Sequence, residues 1–273
     1  MIRRIVTLLT LMLLLVRASA QEGKPVVCIG EFKNNSNKNI KLLKTLRGKV
    51  IEGIDKTNRL SLVDIYTMGE MPTAKNELVK TLGEKGIQYL IECEMNSVTG
   101  NKKRYYDYLK KDSADSYNAE VKFSLTMIET ETGITIASNN YTSSSSSYIF
   151  SKPGSIEEAV QKAMEGVSSK MNGFVSENFK IKALVKALDQ VHPKKGVKTC
   201  YISVGQSKGV EPGQRFNVYA RVEVAGERIR KMIGELKTKE VVSPTLTLCE
   251  VKEGGKEIQR FYEEEVELVV VSR

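Results

Sequence analysis

Pro25-Val26-Val27-Cys28-Ile29-Gly30-Glu31-Phe32, followed by the polar run Lys33-Asn34-Asn35-Ser36-Asn37, is the stretch on which the fold turns. An apolar run this short, closed by a polar loop, reads as a buried strand. From Asn39 to about Lys56 the residues Ile40, Leu43, Leu46, Val50 and Ile54 recur at helical spacing and predict a helix with one buried face. Leu60 to Ile65 is a second strand. A second helix covers about 73–85, with Ala74, Leu78 and Leu82 on its face and Gly86 to end it. Ile87 to Met95 is a third strand. This β-α-β-α-β order predicts an α/β layer with a partly parallel sheet.

The pattern then changes. Ala119, Val121, Phe123, Leu125 and Met127 alternate with Glu120, Lys122, Ser124 and Thr126, the mark of a strand with one buried and one wet face. The turn Glu131-Thr132-Gly133 leads into a partner strand through Ile134 and Ile136. Ser143 to Ser147 read as a flexible or edge segment. Ser155 and Glu158 form a capping box that opens a long helix, its face made by Ile156, Val160, Met164, Val167, Met171 and Phe174. From about 181 the chain shows short strands and frequent turns without a helical period. Strands are expected at 197–204, 214–222, 228–241, 244–251 and 264–272, with turns at Lys208-Gly209, Pro212-Gly213, Ala225-Gly226 and Gly254-Gly255. The fold class expected is an α/β N-terminal domain over 21–180, a mixed sheet packed by helices. A small all-β barrel or sandwich follows over 181–273.

Residues 1–20 carry Arg3 and Arg4, an apolar run from Ile5 to Val16, and Ala18-Ser19-Ala20 before Gln21. A basic start, a hydrophobic segment and an A-x-A site make a secretory signal, with the mature chain beginning at Gln21. The run is shorter than the ~20 residues that span a bilayer, so no transmembrane segment is expected in the mature chain. No cysteine stands at the position a lipid anchor would need. Without the signal, Lys and Arg fall from 42 to 39 against 33 acids, a net charge of +6. The excess is moderate and spread out. It favours anionic partners and gives no signature of nucleic-acid binding.

Four cysteines, Cys28, Cys93, Cys200 and Cys249, remain. An even count in an oxidising compartment permits two disulfides. Each also lies in or beside an apolar strand-like run, where a free thiol packs as a small hydrophobe. No C-x-x-C occurs, and the single histidine, His192, sits beside Pro193 in an expected linker, so no zinc site is indicated. The serines lack a G-x-S-x-G elbow, and the glycines form neither a P-loop nor a dinucleotide fingerprint. Glu129, Glu131 and Glu263-Glu264-Glu265 fall in turns or on wet faces. A paired-carboxylate envelope hydrolase has no positive support in these patterns. No catalytic, cofactor or metal residue is assigned.

Three strings resemble the CsgG family of bacterial envelope proteins. They are Val26 to Phe32 with its Asn-rich loop, the strand-turn-strand Leu125 to Ile134 with its Thr-Gly turn, and the amphipathic helix 155–178. Beyond 181, Tyr201 to Gly205, Gly209 to Tyr219 and Ile233-Gly234-Glu235-Leu236 are similar to the small β-barrel that follows a CsgG-like domain in FlgT-type proteins. The resemblance implies structural or regulatory work in the envelope without catalysis. CsgG forms an export channel for curli subunits, LpoB-type relatives activate a cell-wall synthase, and FlgT-type relatives build part of a flagellar ring. A channel would need hairpins that enter the outer membrane, at 98–118 or 138–154. The first holds many charges and its apolar residues do not alternate; the second is short and serine-filled.

A periplasmic scaffold or regulator acting by protein–protein contact is therefore expected, with outer-membrane association and homo-oligomerisation both open. A subunit of a curli-type export complex is the first alternative. The candidate partner-binding residues lie in an insert between two strands: Lys102, Lys103, Arg104, Tyr105, Tyr106, Tyr108, Lys110 and Lys111. Tyrosine and arginine are enriched at protein interfaces. Envelope proteins or an anionic glycan would suit the cations. The bland alternative is a loop whose tyrosines lie back on their own domain.

Overall fold

The computed structural model describes residues 23–36, 40–107, 111–145, 152–224 and 227–273. The expected signal segment, residues 1–20, and its cleavage point at Gln21 lie outside the described residues. Strands β1 (Val26–Asn34), β2 (Ser61–Asp64), β3 (Tyr89–Asp107), β4 (Asp112–Glu129) and β5 (Thr135–Ser144) form one sheet in the order β2-β1-β3-β4-β5. β1 runs parallel to β2 and β3, while β3–β4 and β4–β5 are antiparallel. The sheet is mixed: the β-α-β-α-β order accounts for its parallel pairs, and the direct β3–β4 and β4–β5 connections for its antiparallel ones.

Helices α1 (Ile40–Asp55) and α2 (Lys75–Glu84) make the two parallel crossovers. Leu46, Val50 and Ile54 of α1 join Val27, Ile91, Phe123 and Leu125 in one core, to which α3 (Ile156–Asn178) adds Met164, Val167, Met171 and Phe174. Val79 and Leu82 of α2 bury with Cys28, Leu90 and Ile128 in a separate cluster. Successive strand residues point to opposite faces, so Cys28 and Leu90 face α2 while Val27, Ile29 and Ile91 face α1 and α3. The Ser155 hydroxyl accepts from the Glu158 N–H at 3.1 Å; the Glu158 carboxylate reaches back to the Gly154 N–H at 2.7 Å instead of to Ser155. Ser143 belongs to edge strand β5, is buried, and donates to the Ala163 carbonyl of α3 at 2.6 Å.

Arg47 of α1 ties this helix to the strand ends. Its side chain is only 13% exposed and donates to Asp64 at 2.6 Å and to the Gly30 carbonyl at 3.1 Å. The guanidinium also lies 5.1 Å from the Phe32 ring centroid and 4.8 Å from that of Tyr66. Burial opposes the charge of Asp64, but the Tyr66 N–H and the Arg47 guanidinium outweigh it and hold this carboxyl below its usual range. A depressed carboxyl binds its proton more readily in the unfolded chain, so its contribution is complete above the ordinary carboxylate pKa. It is lost as pH falls through the lowered value. Asp64→Asn should therefore show a shallower fall of thermal midpoint than the parent below about pH 4. Equal slopes in melts taken from pH 6 to pH 2 would sink this assignment.

The second half of the chain is a closed six-stranded antiparallel barrel, not a sandwich. It is built from β6 (Lys182–His192), β7 (Gly196–Ile202), β8 (Arg215–Val224), β9 (Glu227–Ser243), β10 (Leu246–Glu253) and β11 (Leu268–Ser272), in the order β10-β7-β6-β11-β8-β9. Phe216, Val218, Leu236, Ile202 and Val270 fill it. Two expectations are corrected here. The region around His192 is not a linker: β6 is a barrel strand, and register shifts after Val185, Leu188 and Gln190 break the period-2 pattern that would have revealed it. The segment after Gly254-Gly255 does have a helical period, α4 (Gly255–Glu263), but only Ile258 and Phe261 are buried, too few to stand out.

Candidate functional site

Residues 98–107 and 112–118, expected to hold an insert between two strands, are themselves strand. β3 and β4 continue through them as an antiparallel ladder, from Val98↔Val121 to Asp107↔Asp112. Residue 98 onward lacked alternating apolar residues for a physical reason. β1 pairs with β3 only as far as Asn34↔Met95, and β5 pairs with β4 only as far as Glu120↔Ser144. Past those points no strand among the described residues flanks the ladder, the hairpin projects from the sheet, and Asn101 to Tyr106 are exposed. Cross-strand pairs and the backbone ladder sustain it in place of a hydrophobic face.

The register sorts the candidate residues onto two faces. Lys102, Arg104 and Tyr106 lie opposite Tyr117, Asp115 and Ser113; Lys103 and Tyr105 lie opposite Ser116 and Ala114 on the other face. The Lys102 ammonium bonds the Asp115 carboxylate at 2.8 Å and lies 5.6 Å from the Tyr117 ring centroid. The hydrogen bond to Asp115 is the main reason that the Lys102 amine titrates above its usual value. Lys152, just ahead of α3, reaches the other face: its ammonium is 5.5 Å from the Tyr105 ring centroid and 3.5 Å from the hydroxyl. Tyr105 and Tyr106 remain 38% and 52% exposed.

Among the described residues no acid lies within ion-pair distance of Lys103 or Arg104. Lys111, at φ 52°, enters β4 from the turn, and Tyr108 and Lys110 lie outside the described residues. The structure adds Asp115, Tyr117 and Lys152 to the set expected from the sequence. Asp115 and Tyr117 could have been found by mirroring residues 102–107 across the hairpin, had the hairpin been recognised.

Elsewhere the shifted carboxylates are surface ion pairs. Glu158 is held low by the Gly154 N–H and Lys162, and Glu250 by Lys252. An open groove of about 1000 Å³ runs between α2 and the β4–β5 turn, lined in part by Lys75, Lys80, Glu84, Glu129 and Glu131. There the Glu129 carboxylate accepts from the Thr132 hydroxyl at 2.8 Å and braces the turn. Among the described residues no three His, Cys, Asp or Glu side chains converge as a metal site. No described helix is long and apolar enough to cross a membrane.

No family model matches this chain, and no curated protein matches it. Among solved structures, a putative neuraminyllactose-binding hemagglutinin homolog from Helicobacter pylori is 12% identical, with a TM-score of 0.38 over 58% of this chain and 84% of that one. The PelC dodecamer from Paraburkholderia phytofirmans gives 9% identity and a TM-score of 0.32 over 55% and 84%. The LpoB C-terminal domain from Escherichia coli gives 11% and 0.29 over 43% and 81%. Likeness at these scores is partial and carries nothing about function.

Proposed function

We propose that this chain is a non-enzymatic protein of the bacterial cell envelope, a periplasmic scaffold or regulator that binds another envelope protein through the β3–β4 hairpin. One observation carries the reading. The hairpin runs on past the strands that flank it among the described residues. Beside the exposed Tyr105 and Tyr106 it presents Lys103 and Arg104, neither in an ion pair with a described acid, while Asp115 opposite Arg104 is bonded to Lys102. Tyrosine and arginine contribute most per residue at interfaces, and an open strand edge accepts an added strand. The cations select an acidic partner face. The CsgG-like strings and the N-terminal signal segment supply the envelope setting.

An export pore is the less suited reading. A membrane-crossing hairpin needs one apolar face along ~9–11 residues per strand. Here Lys102 and Arg104 charge one face and Lys103 the other.

The test is the quadruple variant Lys103→Ala/Arg104→Ala/Tyr105→Ala/Tyr106→Ala. Losing one or two interface hot spots, at about 2 kcal/mol each, should cut retention of the partner from an envelope extract at least about tenfold. The thermal midpoint should hold, because exposed substitutions rarely cost more than about 0.5 kcal/mol. Unchanged retention with a lowered midpoint would mean that the tyrosines serve their own domain. Retention that survives protease digestion of the extract would point to an anionic glycan instead of a protein.

A further inference from the structure

Of the four cysteines, the fold leaves one pair able to join. Cys28 lies in the cluster under α2, whereas Cys93 lies in the core under α1 and α3, on the opposite face of the sheet. Their ladder partners are Leu90 and Phe32, not each other. No rotamer carries a side chain through a sheet, so this pair cannot bridge. Cys200 of β7 and Cys249 of β10 stand directly opposite one another in the barrel ladder. Both are fully buried and belong to the same interior cluster. Directly opposed residues of an antiparallel pair share a face, with Cα atoms about 4.5 or about 5.5 Å apart. Either spacing falls inside the roughly 4.4–6.8 Å window that a disulfide accepts.

We infer that Cys200 and Cys249 are a disulfide-forming pair that staples β7 to β10 inside the barrel, and that Cys28 and Cys93 stay as thiols. In the structure all four are reduced. Burial pushes the thiols of Cys200 and Cys249 each up to about 12, so the closed barrel holds almost no thiolate to react. The bond therefore forms while the barrel is still assembling, with a small-molecule disulfide as oxidant. One cysteine thiolate attacks a sulfur of that disulfide, making a mixed disulfide and releasing one small thiolate. The second cysteine loses its proton and attacks the protein sulfur of the mixed disulfide, closing the bridge and releasing the second small thiol. Two protein thiols give up two electrons and two protons, and the oxidant takes both to become two thiols.

The chain lacking the signal segment, unfolded and reduced, is refolded in oxidised and reduced glutathione and its free thiols are counted. The expected count falls from four to two, with a non-reduced peptide map joining the Cys200 peptide to the Cys249 peptide. The Cys28→Ser/Cys93→Ser variant should fall to none, and Cys249→Ser should keep all its remaining thiols. A count that stays at four overturns the inference. So does a link that includes Cys28 or Cys93, or a persistent glutathione adduct in place of the bridge.

Discussion

Phe123→Ala should lower the stability of the five-stranded sheet and its helices by about 3–5 kcal/mol, the usual cost of deleting a buried aromatic ring. Phe123 sits mid-way along β4 with no exposed surface, paired across the sheet with Met95 and Tyr141. Its ring stacks on that of Tyr141, with centroids 5.4 Å apart and planes 23° from parallel. Tyr141 is on an edge strand and cannot close the hole without leaving its own ladder. The loss should stay within this half of the chain, because the clusters that fill the sheet and the barrel share no residue. That 21–180 and 181–273 unfold as separate cores is our proposal. At the seam Gly209 lies close against Thr57 and Arg59, and exposed hydrogen bonds cross it, such as Asn58 to the Gln206 carbonyl at 3.1 Å and Lys208 to the Gly23 carbonyl at 2.7 Å. Each contributes about 1 kcal/mol or less. The chain has no tryptophan, so hydrogen exchange read by mass spectrometry is the better probe. Protection should drop in peptides of β1, β3, β4 and α3 and hold in the barrel. An equal drop in β7 and β8 would show one cooperative unit.

The sheet was legible because its buried faces are complete. Val27 and Ile29, then Leu46, Val50 and Ile54, then Val121, Phe123 and Leu125, each keep an unbroken period of 2 or 3.6 against a covered surface. The elements that escaped have no such surface or no such period. In β6, bulges after Val185 and Leu188 break the alternation that Ala183 and Val185 begin. In α4, two buried residues cannot outweigh a Gly-Gly start and a tail of acids. The hairpin beyond Val98 meets Ile156 of α3 at Gly100 near its base, while Asn101 to Tyr106 are exposed, so that stretch is free to carry charge on both faces. A hydrophobic pattern reports what covers a strand, not whether the strand exists.

For the candidate site the same reasoning runs in reverse. Its residue types could be read directly, since three tyrosines among five cations between Lys102 and Lys111 need no fold to be noticed. Their arrangement could not. Only the ladder places Asp115 opposite Arg104 and diagonal to Lys102, whose ammonium its carboxylate bonds, so that among the described residues neither Lys103 nor Arg104 forms an ion pair. Lys152 reaches Tyr105 from a segment distant in sequence, through a contact that no local pattern encodes.

Gly254→Ala should cost the barrel about 2–5 kcal/mol, and it separates two reasons for a glycine that sequence alone treats alike. Gly254 caps α4 at φ 76° and ψ 20°, in the left-handed region, and its carbonyl accepts from the Ile258 N–H at 2.9 Å. A side chain there bears a conformational cost of about 1–2 kcal/mol. It also has nowhere to go. A Cβ on Gly254 would overlap the Ile233 carbonyl oxygen and lie 2.7 Å from the Gly234 Cα, both backbone atoms of β9. Relief requires β9 to back away from the β10–α4 junction, at an overpacking cost of about 1–3 kcal/mol. Gly133, in the β4–β5 turn, is the control: its φ is 71°, yet nothing lies within 4 Å of a Cβ built on it. Gly133→Ala should lose only the conformational part. Both losses can be read from urea unfolding followed by circular dichroism, with hydrogen exchange assigning each to its half of the chain. Should Gly254→Ala lose no more than Gly133→Ala, β9 gives way freely at Ile233, and the tight closure of the barrel against α4 does not hold in solution.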